Sequence, residues 1–228
     1  MKKNLIISGG IFHPFEDSSK TLSTILDDIG YESLITMDIE GAFKNLEDYD
    51  LLTINALRWR MLNHEKYLPY IDEWAFSLSD DGRKHLDNYI KNGGSMIALH
   101  TSSICFDDWD GWSKVLGGKW NWDRTFHPPL GPIKVTPIAN HFVTDNIQSF
   151  TLNDEVYHNL ELEPESKPFL IGYTEETKEE HIIAWSYEYH QGRVIYNALG
   201  HDSDSLVNEE LSEIIKRSVL WVSGDSDA

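Results

Sequence analysis

Three histidines follow apolar runs of strand character: His13 after Leu5-Ile6-Ile7, His100 after Met96-Ile97-Ala98-Leu99, and His201 after Val194-Ile195-Tyr196-Asn197-Ala198-Leu199. An open α/β sheet builds its ligand crevice beyond the carboxyl ends of its strands, so this placement predicts a shared site. Imidazole moves protons near neutral pH and ligates metals in its neutral form, which makes acid/base catalysis or metal binding the expected chemistry. Carboxylates stand close in sequence. Asp202 follows His201 directly, and Glu155 belongs to the pair Asp154-Glu155 that precedes Tyr157. A carboxylate beside an imidazole fixes its tautomer and raises its basicity. We expect His100, His201, Glu155 and Asp202 to be catalytic, and His13, His127, Trp109 and Tyr157 to meet substrate.

His127 precedes the rigid Pro128-Pro129 segment, which is suited to presenting its ring across a crevice. Trp109, Trp112, Trp120 and Trp122 make the densest aromatic region, and flat indole faces pack well against the C–H faces of a sugar. Trp109, Trp112 and Val115 also recur at helical spacing, the pattern of a core face. Imidazole and oxygen donors suit zinc or manganese. No H-E-x-x-H motif is present, so a metal-free acid/base site is the preferred expectation and a divalent metal the alternative.

The chain of 228 residues carries a formal charge of −19 with a pI near 4.7. That field repels phosphate backbones and anionic lipid, and no basic cluster overrides it. No apolar run approaches the roughly 20 residues that span a bilayer. The expectation is a soluble cytoplasmic protein whose partner is a small carbohydrate, with neither nucleic acid nor membrane bound. The aromatic insertion over residues 57–76 adds a homodimer to the expectations. The single cysteine, Cys105, excludes an intramolecular disulfide and a cysteine-based zinc cluster. It fits a buried small hydrophobe better than a nucleophile.

The elements that must position these groups follow from periodicity. Residues 3–8, 31–37, 50–55 and 95–99 read as strands, with helices ending before Gly30 and Gly93-Gly94 and a short one over 42–46. Ser79 is a helix N-cap, with Asp80 and Asp81 suited to the positive end. Strand-like runs cover 133–136, 150–152, 169–173, 182–185 and 193–199. A final helix over 208–221 turns Leu211, Ile214, Ile215, Val219 and Leu220 inward. Alternation of this kind predicts an α/β fold, three-layer α/β/α with a mostly parallel central sheet. It forms a single domain over residues 1–222, with 223–228 a frayed tail.

Residues 93–103 read as a glycine turn, a buried strand and a tight turn bearing a reactive side chain, the elbow that carries the cysteine nucleophile in class I glutamine amidotransferases. Here the elbow residue is His100. Imidazole does not replace a thiolate as the acyl-forming group, so glutaminase activity is excluded. Ala98-Leu99-His100, Trp109-Asp110-Gly111-Trp112, Leu116-Gly117-Gly118 and His127 together resemble the trehalose-utilisation, or ThuA-like, family. Asn140-His141-Phe142-Val143, Asp154-Glu155-Val156-Tyr157, Ala184-Trp185, Gly192-Arg193-Val194-Ile195-Tyr196 and Leu199-Gly200-His201-Asp202 continue the likeness in the family's order. The resemblance implies a class I glutamine amidotransferase-like (flavodoxin-like) fold. It also implies carbohydrate metabolism, with cleavage or isomerisation of a keto-sugar such as a 3-keto-glycoside. Two rivals remain: a noncatalytic carbohydrate-binding or regulatory domain, and a hydrolase using Cys105.

Overall fold

The computed structural model describes residues 1–225. Strand β1 (Lys2–Gly9) is buried from Asn4 onward. Helix α1 (Phe15–Asp27) ends before Gly30 as expected; Pro14 sits where a fixed φ suits a helix start, and Glu16 and Asp17 fall in its first turn. Strand β2 (Tyr31–Thr36), helix α2 (Ile39–Phe43) and strand β3 (Leu51–Ala56) follow. The Asp38 carboxylate caps α2 by accepting from Gly41 N–H, which starts that helix earlier than the predicted 42–46. Residues 57–76 contribute no strand. They hold a 3-10 turn over Glu65–Tyr70 and helix α3 (Ile71–Trp74), in keeping with an insertion.

Helix α4 (Asp80–Lys91) starts at Ser79, whose hydroxyl accepts from Gly82 N–H at 3.0 Å as predicted. Strand β4 (Ser95–Leu99) runs into a 3-10 turn over His100–Ile104, then helix α5 (Asp110–Leu116) and strand β5 (Gly118–Lys119). Strands β6 (Gly131–Pro137), β7 (Phe150–Asp154), β8 (Glu161–Leu162), β9 (Lys167–Tyr173), β10 (Glu180–Tyr189) and β11 (Gly192–Asn197) come next. Helices α6 (Ser203–Leu206) and α7 (Glu209–Val222) close the chain. Leu211, Ile214, Ile215, Val219 and Val222 form the buried stripe of α7; Val222, one heptad after Ile215, takes the place expected for Leu220.

The main sheet has nine strands in the order β2-β1-β3-β4-β11-β10-β9-β6-β7. It is parallel from β2 through β11 and antiparallel from β11 to β7. The change of sense is forced where β10 and β11 are joined by His190 and Gln191 alone, too short a link for a crossover. The short pair β5-β8 lies outside this sheet. Helices α1, α6 and α7 pack together, as do α2, α4 and α5, one group on each face. The parallel half thus has the doubly wound order, whose switch point lies where β1 and β3 diverge. At the chain's end, the Ser223 hydroxyl pairs with Tyr31 OH at 2.6 Å and Asp225 pairs with Lys2, so this part of the expected frayed tail is tied down. Residues 226–228 of that tail lie outside the described residues.

Candidate active site

All three strand-end histidines turn into one cluster. Each loop that carries one adopts positive φ beside it: Phe12 at 72° before His13, His100 itself at 47°, and Gly200 at 102° before His201. For Phe12 and His100 that backbone is strained, and such strain persists only when neighbours over-determine it. At the His100 elbow they do. Tyr196 OH donates to the His100 carbonyl at 2.8 Å, and Thr101 Oγ1 donates to the Ala56 carbonyl at 2.8 Å. Gly10 lets the first loop pass close to β3, since a Cβ there would stand 2.6 Å from the Leu57 carbonyl oxygen.

His100 Nε2 is the centre of the cluster. It lies 3.1 Å from His13 Nε2, 3.3 Å from His201 Nδ1, 3.4 Å from Glu155 Oε2 and 3.1 Å from the Tyr157 hydroxyl. Tautomers follow from the other ring nitrogens. His100 Nδ1 is 2.7 Å from the Ala198 carbonyl, which only accepts, so Nδ1 carries the proton and Nε2 presents a lone pair. His13 Nε2 stands 3.1 Å from that lone pair and donates to it, the longer 3.4 Å approach of His13 Nδ1 to the Ile11 carbonyl being the weaker contact. One proton thus bridges the two rings, at a place where a metal ion ligated by both would sit instead.

Glu155 supplies the negative charge. Its Oε1 lies 3.6 Å from His201 Nδ1 and 3.3 Å from His127 Nδ1, while its buried Oε2 has no hydrogen-bond partner among the described residues. Burial alone would push this carboxyl up, but the His100 and His201 rings outweigh it and hold Glu155 well below the usual carboxylate range. The same carboxylate raises His201 above the ordinary imidazole value. Burial, then the charges at His100 and His201, push His13 down to about 3. Burial raises the Tyr157 phenol, so it stays a donor.

Ligand atoms of His13, His100, His201 and Glu155 all lie within 4.8 Å of one another. Donors bonded to one zinc at roughly 2.0–2.1 Å and set at tetrahedral angles stand about 3.3 Å apart, and the separations of 3.1 to 3.6 Å among these donors span that value. The backbone carbonyls on His100 and His13 are the outer partners that orient metal-ligating imidazoles. The donor set fits a divalent ion.

The site's setting matches one family. The model of the family described as "ThuA: Trehalose utilisation" matches residues 4–222. The chain belongs to the ThuA family. No functionally curated protein matches the sequence. Among solved structures, a ThuA-like protein of Parabacteroides merdae is similar at TM-score 0.79 and 15% identity, over 98% of this chain and 90% of that one. A cytoplasmic protein of Salmonella typhimurium follows at TM-score 0.68 and 13% identity, over 97% and 99%. A cold-adapted β-galactosidase of Rahnella is similar at TM-score 0.61 and 12% identity, over 96% of this chain but 31% of the enzyme. The ThuA assignment links the chain to carbohydrate use, and the structural neighbours show the α/β fold.

In this ThuA chain the cluster forms one wall of an open cavity of about 950 Å³, a volume suited to a small ligand. His13, His127, Glu155, Tyr157 and His201 line it. His127 Nδ1 is 2.9 Å from the Pro128 carbonyl, so that nitrogen donates and Nε2 is left as the free base. A chain of aromatic contacts runs from Phe12 to Tyr67 at 6.2 Å, to Trp122 at 6.4 Å, to Trp120 at 5.9 Å and on to Tyr157 at 5.1 Å. Trp59 and Tyr67, from the 57–76 insertion, were not singled out as site residues; the aperiodic run of aromatics was their one signal.

Two expected site residues lie elsewhere. The Asp202 carboxylate accepts from Ser205 N–H at 2.9 Å and caps α6, so it is absent from the ligand cluster. Trp109 packs against the core at the start of α5 and lines a neighbouring depression with Asp107 and Asp110, beyond Trp120 and Trp122. The carboxylate that organises the His201 loop is instead Asp154, fully buried. It accepts from Gly200 N–H at 2.8 Å, Glu155 N–H at 2.7 Å and the Ser205 hydroxyl. Cys105 is buried, its thiol donates to the Ala56 carbonyl at 3.2 Å, and burial pushes it up to about 12. A thiol so held is no nucleophile. Among the described residues no helix is long and apolar enough to cross a membrane.

Proposed function

We propose that this ThuA protein is a carbohydrate-metabolism enzyme that acts beside a sugar carbonyl, with His13, His100, His201 and Glu155 holding a divalent ion. The observation that carries this reading is the convergence of imidazole nitrogens and a carboxylate on the wall of an aromatic-lined cavity. The proposed substrate class is a 3-keto-glycoside, with zinc or manganese as the metal. When bound, the ion acts as a Lewis acid toward a carbonyl oxygen. The metal is favoured over a metal-free site here because three imidazoles and a carboxylate place their ligand atoms within 4.8 Å of one another.

The protein's own groups supply the rest. Trp120, Trp122 and Tyr67 offer flat faces to the sugar ring. His127, with Nδ1 engaged by Pro128, acts as the base through Nε2 and removes the acidic proton at C2, next to the C3 carbonyl. The C2–H electron pair moves into the C2–C3 bond as the carbonyl oxygen takes up charge. Expulsion of the C1 substituent then forms the C1–C2 double bond, and the His127 proton passes to the leaving oxygen. Tyr157 holds the His100 ring through its hydroxyl when no ion is present. The proposed setting is the cytoplasm, with a small carbohydrate as partner.

The test is product analysis with a 3-keto-glucoside and its unoxidised parent, in metal-loaded protein. Release of the C1 substituent from the keto form alone supports the reading. Full turnover by both His100→Ala and His201→Ala refutes it. A noncatalytic carbohydrate-binding domain is the second reading, motivated by the likeness of this fold to under a third of the Rahnella β-galactosidase chain. Sugar-dependent thermal stabilisation with no product from any keto-glycoside would favour it.

A further inference from the structure

A second group of ligating side chains lies outside the cavity. His158 follows β7, Glu179 immediately precedes β10 and His181 lies on β10. Their ligand atoms also lie within 4.8 Å of one another. The two imidazoles stack with ring centres 3.8 Å apart and planes tilted by 31°, and His181 Nε2 is 3.3 Å from Glu179 Oε2. His158 is 1% exposed, yet neither of its ring nitrogens has a hydrogen-bond partner among the described residues.

Buried polar atoms without partners cost about 1–3 kcal/mol each, so a ring as buried as His158 with both nitrogens unpaired is poorly explained as packing alone. The backbone around His158 is fixed on its own account. Its N–H donates to the Phe126 carbonyl at 2.8 Å, and its ring lies 4.6 Å from that of Phe126. The ring is therefore held in place without using either nitrogen. Imidazole in its neutral form presents a ring-nitrogen lone pair that ligates metals.

We propose that His158, His181 and Glu179 form a second metal site, for a divalent transition ion of the zinc type. Two imidazoles and one carboxylate are a zinc-like donor set, and the exposed Glu179 side leaves the remaining coordination to water. An ion there would join the segment after Glu155 to strand β10. The site is independent of the proposed reaction.

The test is calorimetric titration of chelator-stripped protein with zinc chloride, together with anomalous scattering from zinc-soaked crystals. Wild type should bind two ions, one of them with an anomalous peak between His158 and His181. Glu179→Ala and His181→Ala should each weaken that ion by at least about tenfold, while His201→Ala leaves it unchanged. Glu179 is exposed, so its removal does not threaten folding. Absence of any zinc whose affinity depends on Glu179 and His181 overturns the proposal. Loss of zinc in His201→Ala alone concerns the cavity site and would leave this one standing.

Discussion

Removing His201 should take away about two-thirds of the stabilisation expected from zinc at the proposed cavity site. His13 Nε2 and His100 Nε2 stand 3.1 Å apart, and two protons placed there would repel by about 5 kcal/mol at an effective dielectric of about 20. A single divalent ion ligated by both nitrogens avoids that repulsion. If zinc is supplied at a thousand times its Kd, it stabilises the folded state by about 4 kcal/mol. For a chain of this size each kcal/mol moves Tm by roughly 2–4 °C, so the shift should be about 8–16 °C. Loss of one ligand that weakens binding by roughly a hundredfold leaves about 1.4 kcal/mol at the same zinc concentration, and a shift of about 3–6 °C. His201, like His13, is partly exposed, so His201→Ala disturbs packing less than removal of the buried His100 or Glu155 would. Thermal unfolding of chelator-stripped protein, with and without zinc, measures both shifts. Carrying Glu179→Ala in every sample removes any contribution from the second site. Equal shifts in the two proteins, or none in either, would refute the assignment of His201 as a ligand.

Asp154→Ala should cost about 3 kcal/mol in urea unfolding, because the N–H groups of Gly200 and Glu155 lose a buried carboxylate acceptor. The same variant should weaken zinc at the cavity site by roughly 10–100-fold, since Gly200 sets the His201 loop; unchanged affinity would show that the loop holds itself. Trp122→Ala should raise KM for a bound sugar by about three- to tenfold with kcat nearly constant, and a fall in kcat alone would contradict a stacking role. Cys105 gives a pH prediction. Its folded value, about 12, lies above the ordinary thiol value, so between pH 9 and 12 the unfolded chain has lost a proton that the folded chain keeps. Stability should therefore fall as pH rises above 9, by about 1.4 kcal/mol per pH unit from this group. Cys105→Ala should remove that part of the slope, and equal slopes in urea titrations at pH 9 and 10 would count against it.

The parallel half of the sheet was legible because its strands are buried on both faces and read as continuous apolar runs, as in Leu51–Ala56 and Ser95–Leu99. The same runs marked His13, His100 and His201, since a doubly wound sheet collects its loops at one edge. The antiparallel half was legible as strands but not as an order, because pairing of β6 with β9 and β7 depends on contacts across 15 or more residues of chain. Carboxylate roles were harder still. Asp202 beside His201 and Asp154 beside Glu155 look alike in sequence, and only the fold shows that one caps a helix while the other is buried under the His201 loop. His158 and His181, 23 positions apart, carry no spacing signal at all; β10 brings them together.

A binding domain that had merely lost a catalytic cysteine would have little reason to keep strain at the same elbow. His100 sits at φ 47°, and a non-glycine residue in that region costs of order 1–3 kcal/mol. Relaxing the turn would move Nε2 away from His13, His201 and Glu155, which approach it from three other loops. The hydroxyl of Tyr196 holds the elbow carbonyl and that of Thr101 holds the end of β3, so the surroundings resist that relaxation at two separate points. The proposed stacking of a sugar needs none of this, because Trp120, Trp122 and Tyr67 reach the cavity from other segments. The strain is therefore matched to the ligand cluster rather than to the aromatic wall. His100→Gly, which relieves the backbone and deletes the ring, should abolish zinc binding in the cavity while preserving the fold. A His100→Gly protein that still bound zinc there with wild-type affinity would separate the strained elbow from the metal and return the site to acid/base chemistry alone.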